Sequence, residues 1–342
     1  MTKSASPILA VALAVFTLSA GVSSARAGAV IINPAGTLAL GINNDGSLNY
    51  GSGSVAPVGL SIIDGGVLQD SSTPGCLCEG WGVSGNGIPG YANVDTDGGP
   101  NNLTVSSFTS TASTAVSTVQ LTSLPSLVVS QSYFPAPEAP KALFQDLITI
   151  KNTGTSAITD VRYVRVMDWD IPPTAFSEFV TIQGTGTTTK LATSHDNGFE
   201  TANPLIQTNP AFIETYNKDF KDFGPEDQGA YFNFHFGTLA AGQSLTFSLY
   251  YGAALSEATM LDALGAVGIE LYSLGESSTT NGATLGTPYT YAMGFKDVGG
   301  VAILPGPTSP GAVPEPGTYG LMGAALLGGL IALRRRRSVS SR

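Results

Sequence analysis

The stretch at residues 243–251 most constrains the fold. Leu245, Phe247, Leu249 and Tyr251 alternate with Ser244, Thr246, Ser248 and Tyr250, and only an extended strand turns that two-residue period into one apolar and one polar face. Residues 231–236 repeat it with Phe232, Phe234 and Phe236 on one side. Strands of this kind bury their apolar faces against a second sheet. The expected fold is therefore all-β, an antiparallel β-sandwich of one domain or two joined lobes.

The rest of the body reads the same way. Short β segments at residues 29–33, 38–42 and 58–63 are separated by turns at residues 43–46 and 64–66, rich in Asn, Asp and Gly. Residues 103–108, 115–121 and 127–133 carry β-branched side chains with polar alternates. Residues 75–87 hold five glycines around Trp81 and read as a loop. The proline-rich stretch at 134–140 is the candidate sub-boundary of the body. Residues 143–151 and 158–167 flank Asn152-Thr-Gly-Thr-Ser156 and read as a hairpin. One short helix is expected, capped by Ser256, with Glu257 at its positive end and Met260, Leu261, Leu264 and Val267 along one side. It would close an end of the sheets. Residues 291–295 and 301–304 look like final strands, and no fixed-period repeat occurs.

Charge narrows the function classes. Between residues 28 and 313 eight basic residues face twenty-four acidic ones, a net −16, which disfavours nucleic acid and anionic membrane surfaces as partners. Divalent cations are compatible with it. Cys76 and Cys78, the two cysteines, are separated only by Leu77. They are either a small-ring disulfide or free thiols, and a soft-metal site would need partners that the distant His195 and His235 do not supply.

The densest polar constellation is Arg162-Tyr-Val-Arg-Val-Met-Asp-Trp-Asp170, preceded by Asp160. On a strand, Asp160, Arg162, Asp168 and Asp170 share one face, and Tyr163, Arg165 and Trp169 the other. Asp168, Trp169 and Asp170 are the candidate glycan or cation site, since paired acids beside an aromatic grip a sugar, serve a glycosidase or hold a cation. Ion pairing among the arginines and aspartates is the competing structural reading. Asp95 and Asp97, followed by glycine, form a candidate calcium loop without the closing glutamate of an EF-hand. Calcium is the one candidate ion, and no organic cofactor is expected. No Gly-x-Ser-x-Gly elbow, phosphate-binding glycine loop or His-Glu-x-x-His motif is present. His235 reads as an exposed strand histidine with no acid beside it. Residues 184–189 give a single threonine patch without the repetition that an ice-binding array requires.

The two ends carry addresses. Residues 1–27 have a basic start, an apolar stretch and a closing Ala25-Arg26-Ala27, the pattern of a secretory signal peptide. At the other end, a spacer at 305–312 leads to Val313-Pro314-Glu315-Pro316-Gly317, held extended by its prolines. An uncharged run at 319–333 follows, then Arg334, Arg335, Arg336 and Arg337, and a tail at 338–342. As a transmembrane helix the run reaches about 22 Å, short of a hydrocarbon core of about 30 Å. The arginines place the tail in the cytoplasm and the body on the far side. Small residues at 320, 324, 328 and 332 line one side of that helix.

Residues 313–337 resemble the PEP-CTERM protein-sorting signal, whose C-terminal signature is also catalogued with ice-binding proteins. The resemblance implies recognition by an exosortase after general secretion, passage through the inner membrane of a Gram-negative bacterium, and delivery to the cell surface or a polysaccharide matrix. The expectation is an exported non-enzymatic protein acting in adhesion, matrix structure or glycan binding. The alternatives are a secreted carbohydrate-active hydrolase using the aspartates beside Trp169, and a calcium-stabilised binding module.

Overall fold

The computed structural model describes residues 27–51, 56–206, 215–279, 282–283 and 286–302. The expected signal peptide, spacer, sorting signal, transmembrane helix and cytoplasmic tail lie outside the described residues, apart from Ala27. Among the described residues no helix is long and apolar enough to cross a membrane. Among the described residues all sheets are antiparallel, and there is one α-helix.

A four-stranded sheet takes β1 (Gly28–Ile32), β2 (Leu38–Asn43), β3 (Leu60–Asp64) and β4 (Val67–Asp70) in order. A nine-stranded sheet runs β15 (Phe220–Glu226), β13 (Glu178–Gln183), β18 (Leu271–Glu276), β21 (Thr290–Lys296), β17 (Ser244–Ala254), β11 (Leu143–Asn152), β10 (Leu127–Pro135), β9 (Ala115–Leu121), β8 (Leu103–Ser110). A six-stranded sheet runs β14 (Leu191–His195), β16 (Gln228–Leu239), β12 (Ile158–Trp169), β5 (Gly80–Gly85), β6 (Ile88–Asn93), β7 (Gly99–Asn101). β19 (Ser278–Thr279) and β20 (Gly282–Ala283) form a small separate pair.

The two larger sheets face each other through the aromatic alternation. Phe234 of β16 packs on Phe295 at 4.8 Å between ring centroids, Phe232 on Phe295 at 5.2 Å, and Tyr163 of β12 on Phe247 of β17 at 5.1 Å. Leu40, Ile42 and Leu60 of the four-stranded sheet join the same core. The helix α1 (Glu257–Val267) starts at Ser256, whose hydroxyl accepts from the Thr259 N–H, and stops at Gly268 in the left-handed conformation. It does not close an end of the sheets. Met260, Leu264 and Val267 lie on the outer face of the nine-stranded sheet, against Tyr250, Tyr272 and Ala292.

Three local expectations change. The glycine-rich segment 75–87 contains β5, a fully buried interior strand rather than only a loop. Its glycines serve close approach: a Cβ on Gly82 would lie 2.0 Å from the Ala202 carbonyl, and one on Gly80 2.7 Å from the Ala92 carbonyl. Residues 143–167 are not a hairpin, because β11 pairs with β10 and β17 while β12 pairs with β5 and β16. Residues 153–157 carry the chain from one large sheet to the other. Val301 is exposed and belongs to no strand. The stretch 134–140 ends β10 and begins the turn into β11, with which β10 pairs directly.

Candidate functional site

β12 sets the site. Val161, Tyr163, Met167 and Trp169 point into the main core, whereas Val164 and Val166 pack on the opposite face with Ala202 and Tyr231. Asp168 shares that opposite face by parity, and Asp170 follows the strand, with its N–H donating to the Ser71 carbonyl at 2.8 Å. The pairing of β12 with β16 puts Trp169 opposite Gln228 and Asp168 opposite Gly229. That register brings in Asp227, which precedes Gln228. Ligand oxygens of Asp168, Asp170 and Asp227 all lie within 4.8 Å of one another. Gly198 and Gly229 make the approach to Asp168 feasible, since a Cβ on either would fall within 3.0 Å of the Asp168 Cα.

Asp168 is 2% exposed and Asp170 0%, while Asp227 reaches solvent. Asp168 Oδ1 and both carboxylate oxygens of Asp170 have no hydrogen-bond partner. Burial, then the charges of Asp170, Asp227 and Glu178, pushes the Asp168 carboxyl up to about 9. Burial, then Asp227 and Asp70, pushes Asp170 up to about 7. Glu178 rises to about 8, chiefly by burial, although it accepts the Gln228 and Ser177 N–H groups at 3.0 Å each. Every charged neighbour in these balances is acidic.

Cys76 and Cys78 form a disulfide, and Cys76 Sγ lies 3.3 Å from Asp168 Oδ2. Bonding to each other removes both thiolates as soft-metal ligands, so the oxygen set stands alone. Trp169 is fully buried and donates its indole N–H to Ser273 Oγ at 3.0 Å, which places it in the core and away from the acids' face.

The remaining sequence candidates have other partners. Arg162 pairs with Asp160 at 2.9 Å, but Arg165 is buried against Glu79 rather than either aspartate of the site. Glu79 also accepts from the Tyr251 hydroxyl and the Leu48 N–H at 2.7 Å each, and Arg165 donates to Gln131 Oε1 at 3.0 Å. This network ties all three larger sheets. His235 is exposed as expected, yet an acid is beside it: a bulge in β12 sets Asp160 Oδ1 3.1 Å from its Nε2. Asp95 accepts from the Leu77 N–H at 2.7 Å, and Asp97 accepts from Thr201 Oγ1 at 2.6 Å and the Ala202 N–H at 2.9 Å. The carboxylates of that loop pin neighbouring chain segments.

Sequence reading missed one broad feature. Strand register aligns Ser107, Thr118, Ser130, Thr149 and Thr246 in a row across five neighbouring strands on the outer face of the nine-stranded sheet. Thr118 and Ser130 hydroxyls are 3.2 Å apart, and those of Thr149 and Thr246 are 3.1 Å apart. No single segment carries the row, so a search for repeated threonines along the chain could not find it. An apolar hollow of about 240 Å³ lies at the opposite end of β11 and β17, lined by Leu38, Ile62, Ala253 and Leu255 among others.

None of these features shows a likeness to known proteins; the C-terminal residues do. Residues 312–337 match the PEP-CTERM protein-sorting motif. The PEP-CTERM motif marks the chain as an exosortase-targeted exported surface protein, and it contains Val313 to Gly317 together with Arg334 to Arg337. The rest of the chain matches no family. No curated protein matches it.

Proposed function

We propose that the body is a non-catalytic component of the cell surface or extracellular matrix, released to that location by exosortase processing of the PEP-CTERM motif, and that it works by contact with extracellular polysaccharide. Export begins with the N-terminal signal and the general secretory machinery and passes through the inner membrane of a Gram-negative cell. The membrane helix is then a transient anchor. The observation that carries the reading is the motif at residues 312–337.

Two features support contact without catalysis. The row from Ser107 to Thr246 offers hydroxyls that both donate and accept, matching a glycan's own hydroxyls over several strands. Asp168 and Asp170 are too enclosed for a sugar ring, and Trp169 offers no stacking face. Adhesion and matrix structure are the roles such a face serves.

Deleting Pro314 to Pro316 tests delivery: the chain should accumulate in the membrane fraction and vanish from the surface and medium. Unchanged surface display would sink the proposal. Contact is tested by co-sedimentation of the full chain with polysaccharide from the producing cells. Thr118→Glu with Thr246→Glu should abolish it without moving the melting temperature, and the polysaccharide should keep its length. Shortening of the polymer would mean a hydrolase.

A further inference from the structure

The carboxylates at the end of β12 lack the neighbours that buried carboxylates ordinarily have. Removing a carboxylate from water is costly unless it is paired or coordinated, yet Asp170 is 0% exposed with both oxygens unpartnered, and Asp168 Oδ1 is in the same position. Around them stand Asp227 at the turn between β15 and β16, Glu178 at the start of β13 and Asp70 at the end of β4. No cation enters their electrostatics.

We propose that Asp168, Asp170 and Asp227 form a binding site for one hard divalent cation of the calcium type. Calcium–oxygen distances of about 2.3–2.6 Å require that oxygens bound to one ion lie within about 5 Å of each other. The three carboxylates satisfy this, with ligand atoms mutually within 4.8 Å. Glu178 is a positioning residue: by accepting the Gln228 N–H at 3.0 Å it fixes the backbone next to Asp227. Asp227 is the exposed member and gives the ion its entrance, where water completes the coordination.

The competing clusters have other bonds or a cation beside them. Cys76 and Cys78 are bonded to each other. Asp222, Glu257 and Glu276 also lie close together, but Lys221 places its ammonium 3.0 Å from Glu257. Asp95 and Asp97 accept hydrogen bonds from Leu77, Thr201 and Ala202. The site does not depend on the polysaccharide reading.

The test uses the full chain, stripped with a chelator and titrated with Ca²⁺ by calorimetry and thermal melting. One ion should bind per chain. At about one hundred times the dissociation constant the melting temperature should rise by about 5–10 °C. Asp227→Asn, at an exposed position, should lose most of that rise, and Asp95→Asn should keep it. In chelator Asp170→Asn should melt no lower than the natural protein, because it removes a buried carboxyl without a hydrogen-bond partner, whereas in Ca²⁺ it should melt lower. Absence of stoichiometric binding would overturn the proposal, as would a shift retained in Asp227→Asn or lost in Asp95→Asn. If Asp170→Asn does not fold, Asp227→Asn decides.

Discussion

At the scale of single residues, enclosure governs the chemistry. His195 stacks on Tyr231 at 4.4 Å between ring centroids, and its Nδ1 accepts from the Asn197 N–H at 3.3 Å. Burial lowers its pKa to about 3. The unfolded chain takes up that proton near pH 6.5 and the folded chain only near 3, so stability from this residue is lost as pH falls through that interval, by about 1.4 kcal/mol per pH unit. Asp168, Asp170 and Glu178 act in the opposite sense, since the folded state holds their protons up to about 7–9. Subtracting the urea-denaturation free energies of His195→Phe from those of the natural protein isolates the histidine. The difference should shrink as pH drops from 7 to 4; a constant difference would show that the imidazole is not held neutral. Glu79→Gln should cost about 3–5 kcal/mol in the same assay, because it leaves Arg165 charged and buried. A cost under about 1 kcal/mol would contradict the network's role. Sequence showed Arg165 and the acids near it, but not its partner: Glu79 is 86 residues away and joins it only because β5 pairs with β12.

Among elements, strong alternation was legible and close approach was not. Residues 231–236 lie within β16 and residues 244–251 within β17 on the expected faces, and the Ser256 cap starts α1. β5 was hidden because glycine lowers strand propensity, a local rule overridden here by the crowding of Ala202, Tyr91 and Pro204 against Gly82. Gly82→Ala should therefore destabilise the protein by about 1–3 kcal/mol in chemical denaturation, whereas an ordinary loop glycine would tolerate alanine. The crossover at 153–157 resembled a hairpin because turn residues mark a reversal without saying which sheet receives the next strand. The site divides the same way. Asp168 and Asp170 stand out in sequence, but Asp227 sits in an unremarkable turn and reaches them only through the register of Trp169 with Gln228.

Over the whole molecule, α1 covers part of the outer face of the nine-stranded sheet, while the row from Ser107 to Thr246 lies on the same sheet's outer face farther along. The body thus presents a hydroxyl-rich surface, carries its acidic cluster at the end of β12, and ends in a chain segment that leads to the PEP-CTERM motif. Its role follows from where that motif delivers it. Intact-mass spectrometry of the mature protein, recovered from the surface and medium of cells that possess an exosortase, is the direct measurement. The C-terminus should fall near Pro314 to Pro316, with Arg334 to Arg337 removed. A chain recovered from the membrane with its arginine tail uncut would contradict the account.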